Sequence, residues 1–168
     1  MTRRPILLLA FATALFVARP AHAILEFTLG GSGAIAQDLD SHQGTLDGSA
    51  GIFLLPGIEL GARQTVNYVD SDSLGTSWNG STRGFLDFQL KLGPVAPFVG
   101  ANFGYLYGDG VPDTAIAGPE GGLKLYFGEN AFLFGRVEYQ VFFDKGDPRI
   151  DAITDGQLVY SLGIGFRL

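Results

Sequence analysis

The sequence predicts an all-β chain, an eight-stranded antiparallel up-and-down β-barrel preceded by a cleavable leader, and three observations carry that prediction. Beyond residue 23, apolar and polar residues alternate with period 2 through eight segments, the pattern of strands with two unlike faces. Short and long connections alternate strictly between those segments, as in a meander whose turns are sorted to opposite ends. The longest uncharged apolar run is N-terminal, Ile6 to Val17, and no later run approaches the ~20 residues of a membrane-spanning helix. A length of 168 residues fits one domain. With 46% hydrophobic residues, 17% charged and a mean hydropathy of +0.23, the chain is not a disordered one. A pI near 4.7 and a net charge of −6 argue against a nucleic-acid partner, because phosphate would be repelled. The absence of Cys excludes disulfides, thiolate chemistry, Cys-type zinc sites and a lipidated N-terminal Cys.

Residues 1–23 read as an address. Arg3 and Arg4 form a basic start, Ile6 to Val17 is a 12-residue apolar run, and Arg19-Pro20 breaks it before Ala21-His22-Ala23. Ala21 and Ala23 occupy the small-residue positions of a signal-peptidase site, so cleavage after Ala23 is expected, with residues 24–168 forming the barrel domain. Thr2-Arg3-Arg4 with Ile6-Leu7 also resembles a twin-arginine signal. That route carries folded cargo, however, and the rest of the chain argues for cargo kept unfolded until it meets a membrane.

Strands are expected near 24–35, 45–55, 58–69, 81–92, 97–107, 116–128, 131–143 and 156–168. Pro56-Gly57, the stretch around Gly93-Pro94-Val95, and Glu129-Asn130 supply the tight turns. The long polar connections are 36–44, 70–80, 108–115 and 144–155, rich in Gly, Asp, Ser and Pro. One face reads Leu46, Ala50, Ile52, Leu54 in the second strand, then Ile58, Leu60, Ala62, Val66, Tyr68 in the third. The same face continues through Leu86, Phe88, Val99, Phe103, Leu123, Leu125, Leu133, Val137 and Leu158 to Leu168. The opposite face is polar, and two residues, Phe85 and Leu106, fall on it against type; they read as a local bulge or a rim position.

Period 2 alone does not say which face points inward; charge does. The polar face holds six acids, Glu26, Asp47, Glu59, Asp87, Glu120 and Glu138, and six bases, Arg63, Arg83, Lys91, Lys124, Arg136 and Arg167. Such a balance is what a narrow interior requires, since each buried ion needs an opposite partner. Gly at 51, 61, 100, 104, 122, 163 and 165 shares that face and leaves room for long side chains inside a barrel of only eight strands. The prediction is therefore a transmembrane barrel with an apolar exterior. The alternative is a soluble lipocalin-like carrier with its apolar face inward. Tyr68, Tyr105, Tyr107 and Tyr160 at the loop-side ends, with Phe127 and Phe166 at the turn-side ends, match two interfacial girdles.

The C-terminal segment places Tyr160, Leu162, Ile164, Phe166 and Leu168 at alternate positions up to the last residue. It is similar to the terminal strand that barrel-assembly machinery recognises, with Leu168 where that family ends in Phe. Pro97-Phe98-Val99-Gly100-Ala101-Asn102-Phe103-Gly104-Tyr105 resembles the fifth strand of opacity-type, outer-membrane-protein-A-like eight-stranded barrels. The resemblance implies an outer membrane location, with envelope lipids, lipopolysaccharide and the assembly machinery as partners.

Three function classes compete. A large-solute channel is disfavoured, because eight strands fill their own interior. An outer-leaflet lipid A acyl enzyme would need a site such as His42 with Asp70-Ser71-Asp72-Ser73. The chain shows no amphipathic helix ahead of the first strand, and Ser41-His42-Gln43-Gly44 departs from the His-x-Ser pairing of lipid A deacylases. No catalytic residue, cofactor or metal site is therefore assigned. What remains is a structural and surface-interaction protein. Its long connections hold Asp38, Asp40, Asp70, Asp72, Asp109, Asp113, Asp144, Asp147, Asp151 and Asp155 against Lys145 and Arg149, an acidic rim without the ligand spacing of a calcium loop. Trp78, read as part of the second long connection, is either an adhesion anchor or a packing residue at the rim.

Overall fold

The computed structural model describes residues 24–35, 41–71, 75–108, 113–143 and 156–168. The leader, its cleavage residues Ala21 and Ala23, and most of the loop acids lie outside the described residues. Eight strands form: β1 Leu25–Ile35, β2 Ser41–Leu55, β3 Ile58–Ser71, β4 Gly75–Gln89, β5 Val95–Gly108, β6 Thr114–Tyr126, β7 Ala131–Phe143 and β8 Gln157–Arg167. Each pairs antiparallel with the next, and β1 pairs with β8 (Glu26–Gly31 against Arg167–Leu162), closing the barrel. Strands of 11 to 15 residues reach or exceed the about 9–11 that a tilted strand needs to cross a bilayer.

Turn chemistry fixes one end. Gly57, Gly93 and Gly128 adopt φ of +85°, +66° and +94°, a region closed to most L residues, and each sits in one of the three short connections. At the other end the strands run further than composition suggests. β2 begins at Ser41 because its ladder with β3 runs to Ser41–Ser71, and β4 begins at Gly75 because the β3–β4 ladder continues through Tyr68–Trp78, Val69–Ser77 and Ser71–Gly75. Gly, Ser and Asp in this stretch are poor strand formers. Cross-strand pairs outweigh that: the Tyr68 and Trp78 rings lie 4.7 Å apart, and Asn67 Nδ2 donates to Asn79 Oδ1 at 2.6 Å. Trp78 is thus a strand residue, half-exposed on the outer wall, and not a loop residue.

The two faces have opposite chemistry. Outside, Leu162 is 70% exposed, and Leu46, Leu60, Leu86, Val99, Phe103 and Leu123 are exposed with it. Inside, Glu26, Asp47, Glu59, Arg63, Arg83, Asp87, Glu120, Lys124, Arg136 and Glu138 are all buried. This is the reverse of a soluble carrier, whose apolar face points inward. Phe85 is a second correction. The β3–β4 register passes through Gly61–Phe85 without a bulge, and the ring is buried in the interior. Leu106, inward on β5 opposite Ser81 and Thr114, is half-buried near the loop-side end.

Candidate functional site

The site that sequence and structure together single out is the barrel interior, which is built in layers from the turn end upward. In the lowest layer Lys124 Nζ donates to Glu26, to Glu59 Oε2 at 3.0 Å and to Gln89 Oε1 at 3.3 Å. Arg167 Nη2 reaches Glu26 Oε2 at 3.0 Å from the last strand. These cations are enclosed by rings: Arg167 Cζ stands 4.4 Å from the Phe53 centroid, and Lys124 Nζ stands 5.4 and 5.3 Å from those of Phe98 and Phe132. A cation over an aromatic face gains from the ring quadrupole, and more so once desolvated.

The middle layer centres on Arg63. Its guanidinium forks onto Glu120 at 2.7 and 2.8 Å, and Nη1 also approaches Glu138 Oε2 at 3.5 Å. Two parallel charge-assisted bonds fix both distance and orientation. Arg83 bonds the other oxygen of Glu138 and donates to Thr65 Oγ1 at 3.0 Å. Asn102 Nδ2 adds a bond to Glu120 Oε2. Phe85 lies under this group, with Arg63 Cζ 4.9 Å from its centroid. To the side, Arg136 Nη2 pairs with Asp47 Oδ1 at 2.7 Å and lies over Phe134 at 5.5 Å. Nearer the loops the interior turns neutral: Thr45 donates to Asn67 at 2.7 Å and Gln157 to Gln140 at 2.9 Å.

Ten of the residues expected inside therefore stand in ion pairs: Glu26, Asp47, Glu59, Arg63, Arg83, Glu120, Lys124, Arg136, Glu138 and Arg167. Asp87 is buried with them but makes no ion pair among the described residues. Lys91 is a correction. The β4 ladder ends at Gln89, so Lys91 sits exposed in the following turn, its Nζ 5.0 Å from the Tyr126 centroid. Outside the ladder, where only an isolated Leu92–Val95 bridge follows, period 2 does not hold Lys91 to the inner face.

The sequence also hides an aromatic half of the interior. Phe53, Phe98, Phe132 and Phe134 point inward, where residue type alone assigns Phe to lipid. The signal that finds them is parity combined with glycine. A Cβ at Gly61 would strike the Phe85 ring, one at Gly122 the Phe98 ring, one at Gly163 the Phe134 ring and one at Gly165 the Phe132 ring. Gly51, Gly100 and Gly104 instead make room for Glu59, Asp87 and Arg83. The inward glycines thus accommodate rings as well as charged chains.

The residues considered for an acyl site are placed only by the backbone ladder, which also sets Ser41 opposite Ser71. His42 lies on β2, opposite Asp70 in the backbone register, while Asp72 and Ser73 fall outside the described residues. Among the described residues no cluster of three metal-ligating side chains occurs.

No protein-family model matches the chain, and no curated protein matches it. Solved structures do. The N-terminal β-barrel domain of Pseudomonas aeruginosa OprF superposes with a TM-score of 0.55 at 20% identity, covering 87% of this chain and 97% of that one. Neisserial surface protein A (NspA) superposes with a TM-score of 0.57 at 14% identity, covering 87% of this chain and 96% of its own. The chain has the fold of the eight-stranded outer membrane β-barrels.

Proposed function

We propose that this chain is a structural and surface-interaction protein of a Gram-negative-type outer membrane, a rigid plugged wall carrying an acidic set of external loops. One observation carries the reading: buried ion pairs and inward rings occupy the barrel interior, and two cavities that they border, of about 20 Å³ each, have room for a water and not for a solute. The apolar exterior supports a lipid surrounding, in which a closed barrel satisfies its backbone hydrogen bonds internally. Residues 1–23 would direct export, and Tyr160, Leu162, Ile164, Phe166 and Leu168 would serve as the signal for the assembly machinery. Envelope lipids and lipopolysaccharide would surround the wall, while the loop partner is left unassigned. The reading assigns no catalytic residue and no enzymatic step to this chain.

Fractionation of expressing cells tests this, with the outer membrane fraction run on a denaturing gel with and without boiling. A band in that fraction whose mobility changes on boiling is expected; a soluble periplasmic band without a shift would overturn the reading. In liposomes the barrel should release no sugar-sized solute. A Cys at Asp72 should react with a bulky reagent on intact cells, and a Cys at Asn130, in the β6–β7 turn, should not.

A further inference from the structure

One seam of the barrel stops short. β1 and β8 pair from Glu26–Arg167 up to Gly31–Leu162, and among the described residues their ladder ends there. Both strands nevertheless continue: residues 32–35 of β1 pair with β2, and residues 157–161 of β8 pair with β7. Other ladders end toward the loops because one strand runs out, as β4–β5 does at Gly108 and β7–β8 at Gln157. Residue type does not explain the difference. The continued register would set Ser32 opposite Ser161 and Gly33 opposite Tyr160, no worse than the bonded pairs Gly30–Gly163 and Gly31–Leu162. Each edge is therefore bonded on one side only. Its remaining N–H and C=O groups are costly in hydrocarbon unless something meets them.

The surroundings of this split are polar behind and apolar in front. Behind it, one of the small interior cavities is bordered by Ser32 of β1 and by Val159 and Ser161 of β8. Ser161 is more than nine-tenths buried, and neither serine hydroxyl has a hydrogen-bond partner among the described residues. In front, Leu158, Tyr160 and Leu162 are each at least 64% exposed on the outer wall. Gly31 faces Leu162, and Gly33 would face Tyr160, so β1 has no side chain there to cover them.

An occupant of the split has to hydrogen-bond strand edges and serines while standing against lipid, which describes an amphiphile. Shape selects further. At Gly31–Leu162 the strands are at bonded spacing, about 4.8 Å, so the split opens upward from there as a wedge. An inserted β-strand would need about twice that spacing along its whole length, whereas a single acyl chain can enter a wedge. We propose that the upper β1–β8 seam is a lateral binding site for a phospholipid of the loop-side leaflet. Its ester oxygens accept hydrogen bonds from the freed N–H groups and from Ser32 and Ser161, and a headgroup amine donates to the freed carbonyls. One acyl chain lies along Leu158, Tyr160 and Leu162. The site rests on the membrane reading above and deepens it, naming where on the wall a lipid is held.

Photolabelling tests the site, with the intact barrel in vesicles containing phosphatidylethanolamine that carries a diazirine on one acyl chain. Mapped by mass spectrometry, the label should be several-fold richer at residues 158–162 than at Val99 and Phe103, which are as exposed on the wall of β5. The chain has no cysteine, so Ser32→Cys with Ser161→Cys can form a single disulfide across the seam. Oxidised, that variant should lose the enrichment; reduced, it should regain it. In detergent, the amides of residues 32–35 that point toward β8 should exchange with solvent faster than the bonded amides of residues 26–31. If the double variant does not fold, the wild-type label and the exchange decide. Even label over the whole outer wall, or equal protection of the two sets of amides, would overturn the site and leave the membrane reading standing. No label anywhere on the wall would overturn both. A co-purified peptide cross-linked at the seam would overturn a lipid as the occupant.

Discussion

Phe98 and Val99 are adjacent on β5 and opposite in environment: one is 5% exposed beneath Lys124, the other 63% exposed on the outer wall. The same contrast holds around the whole barrel. An inner residue has named partners: Arg63 has Glu120, Glu138 and Phe85. An outer residue such as Leu162 is exposed, faces only Gly31 and Gly135 across the ladder, and has no side-chain bond to lose. The inner face is specified by pairing throughout, and the outer chiefly by hydrophobicity, with named side-chain partners toward the loop-side end, Tyr68 with Trp78 and Gln64 with Thr82 and Tyr107. Substitutions should tell them apart.

The largest effect is expected at Arg63→Ala. It leaves Glu120 buried without its forked partner, and breaking a buried pair costs about 3–5 kcal/mol. Arg136→Ala, which strands Asp47, should fall in the same range. Denaturant unfolding in detergent measures both, and an unchanged midpoint for either would show that its guanidinium is not held in the interior. Next comes the outer face. Leu162→Arg, at the level where β8 faces Gly31 and Gly135, should cost about 2–4 kcal/mol in a lipid bilayer, the range for a cation near the midplane. If that wall faced water, the same substitution would be close to neutral.

Much of this contrast was readable from the sequence, and the unread part has a common cause. Period 2 binds every residue of a paired strand to one face, so the charged positions from Glu26 to Arg167 announced the interior. Periodicity says nothing about where pairing stops. Lys91 kept the right parity beyond the last rung of β4, and the β3–β4 hairpin rose past Asp70 on the strength of Tyr68 and Trp78. Nor does residue type assign a face when a residue suits both. Phenylalanine fits lipid, and it also fits beneath a buried guanidinium. Phe85 broke the pattern visibly because its strand neighbours were charged, whereas Phe132 and Phe134 begin a strand and did not.

Glycine separates the two faces at a smaller scale. Gly61→Ala would push a Cβ into the Phe85 ring and the Ala50 carbonyl, an overpacking of about 1–3 kcal/mol. Gly84→Ala, one rung away on the outer wall, has only backbone oxygens of Gly61 and Phe103 at 3.8 and 4.0 Å and should be tolerated. Equal losses in the two variants would mean that strand propensity, and not the ring, decides.

The smallest effect tests the comparison most sharply, because chemistry and strand are held constant. Phe103→Leu exchanges one apolar group for another on the outer wall of β5, where the ring is 64% exposed, and should stay within about 0.5 kcal/mol. Phe98→Leu makes the same exchange on the same strand. It removes the face that meets Lys124 Nζ at 5.4 Å, a contact of the kind worth about 0.5–2 kcal/mol, and opens space over Gly122. The inner variant should therefore unfold at distinctly lower denaturant than the outer one. Should the two midpoints coincide, the inner aromatics would be filler, and the rigidity of the wall would rest on the ion pairs alone.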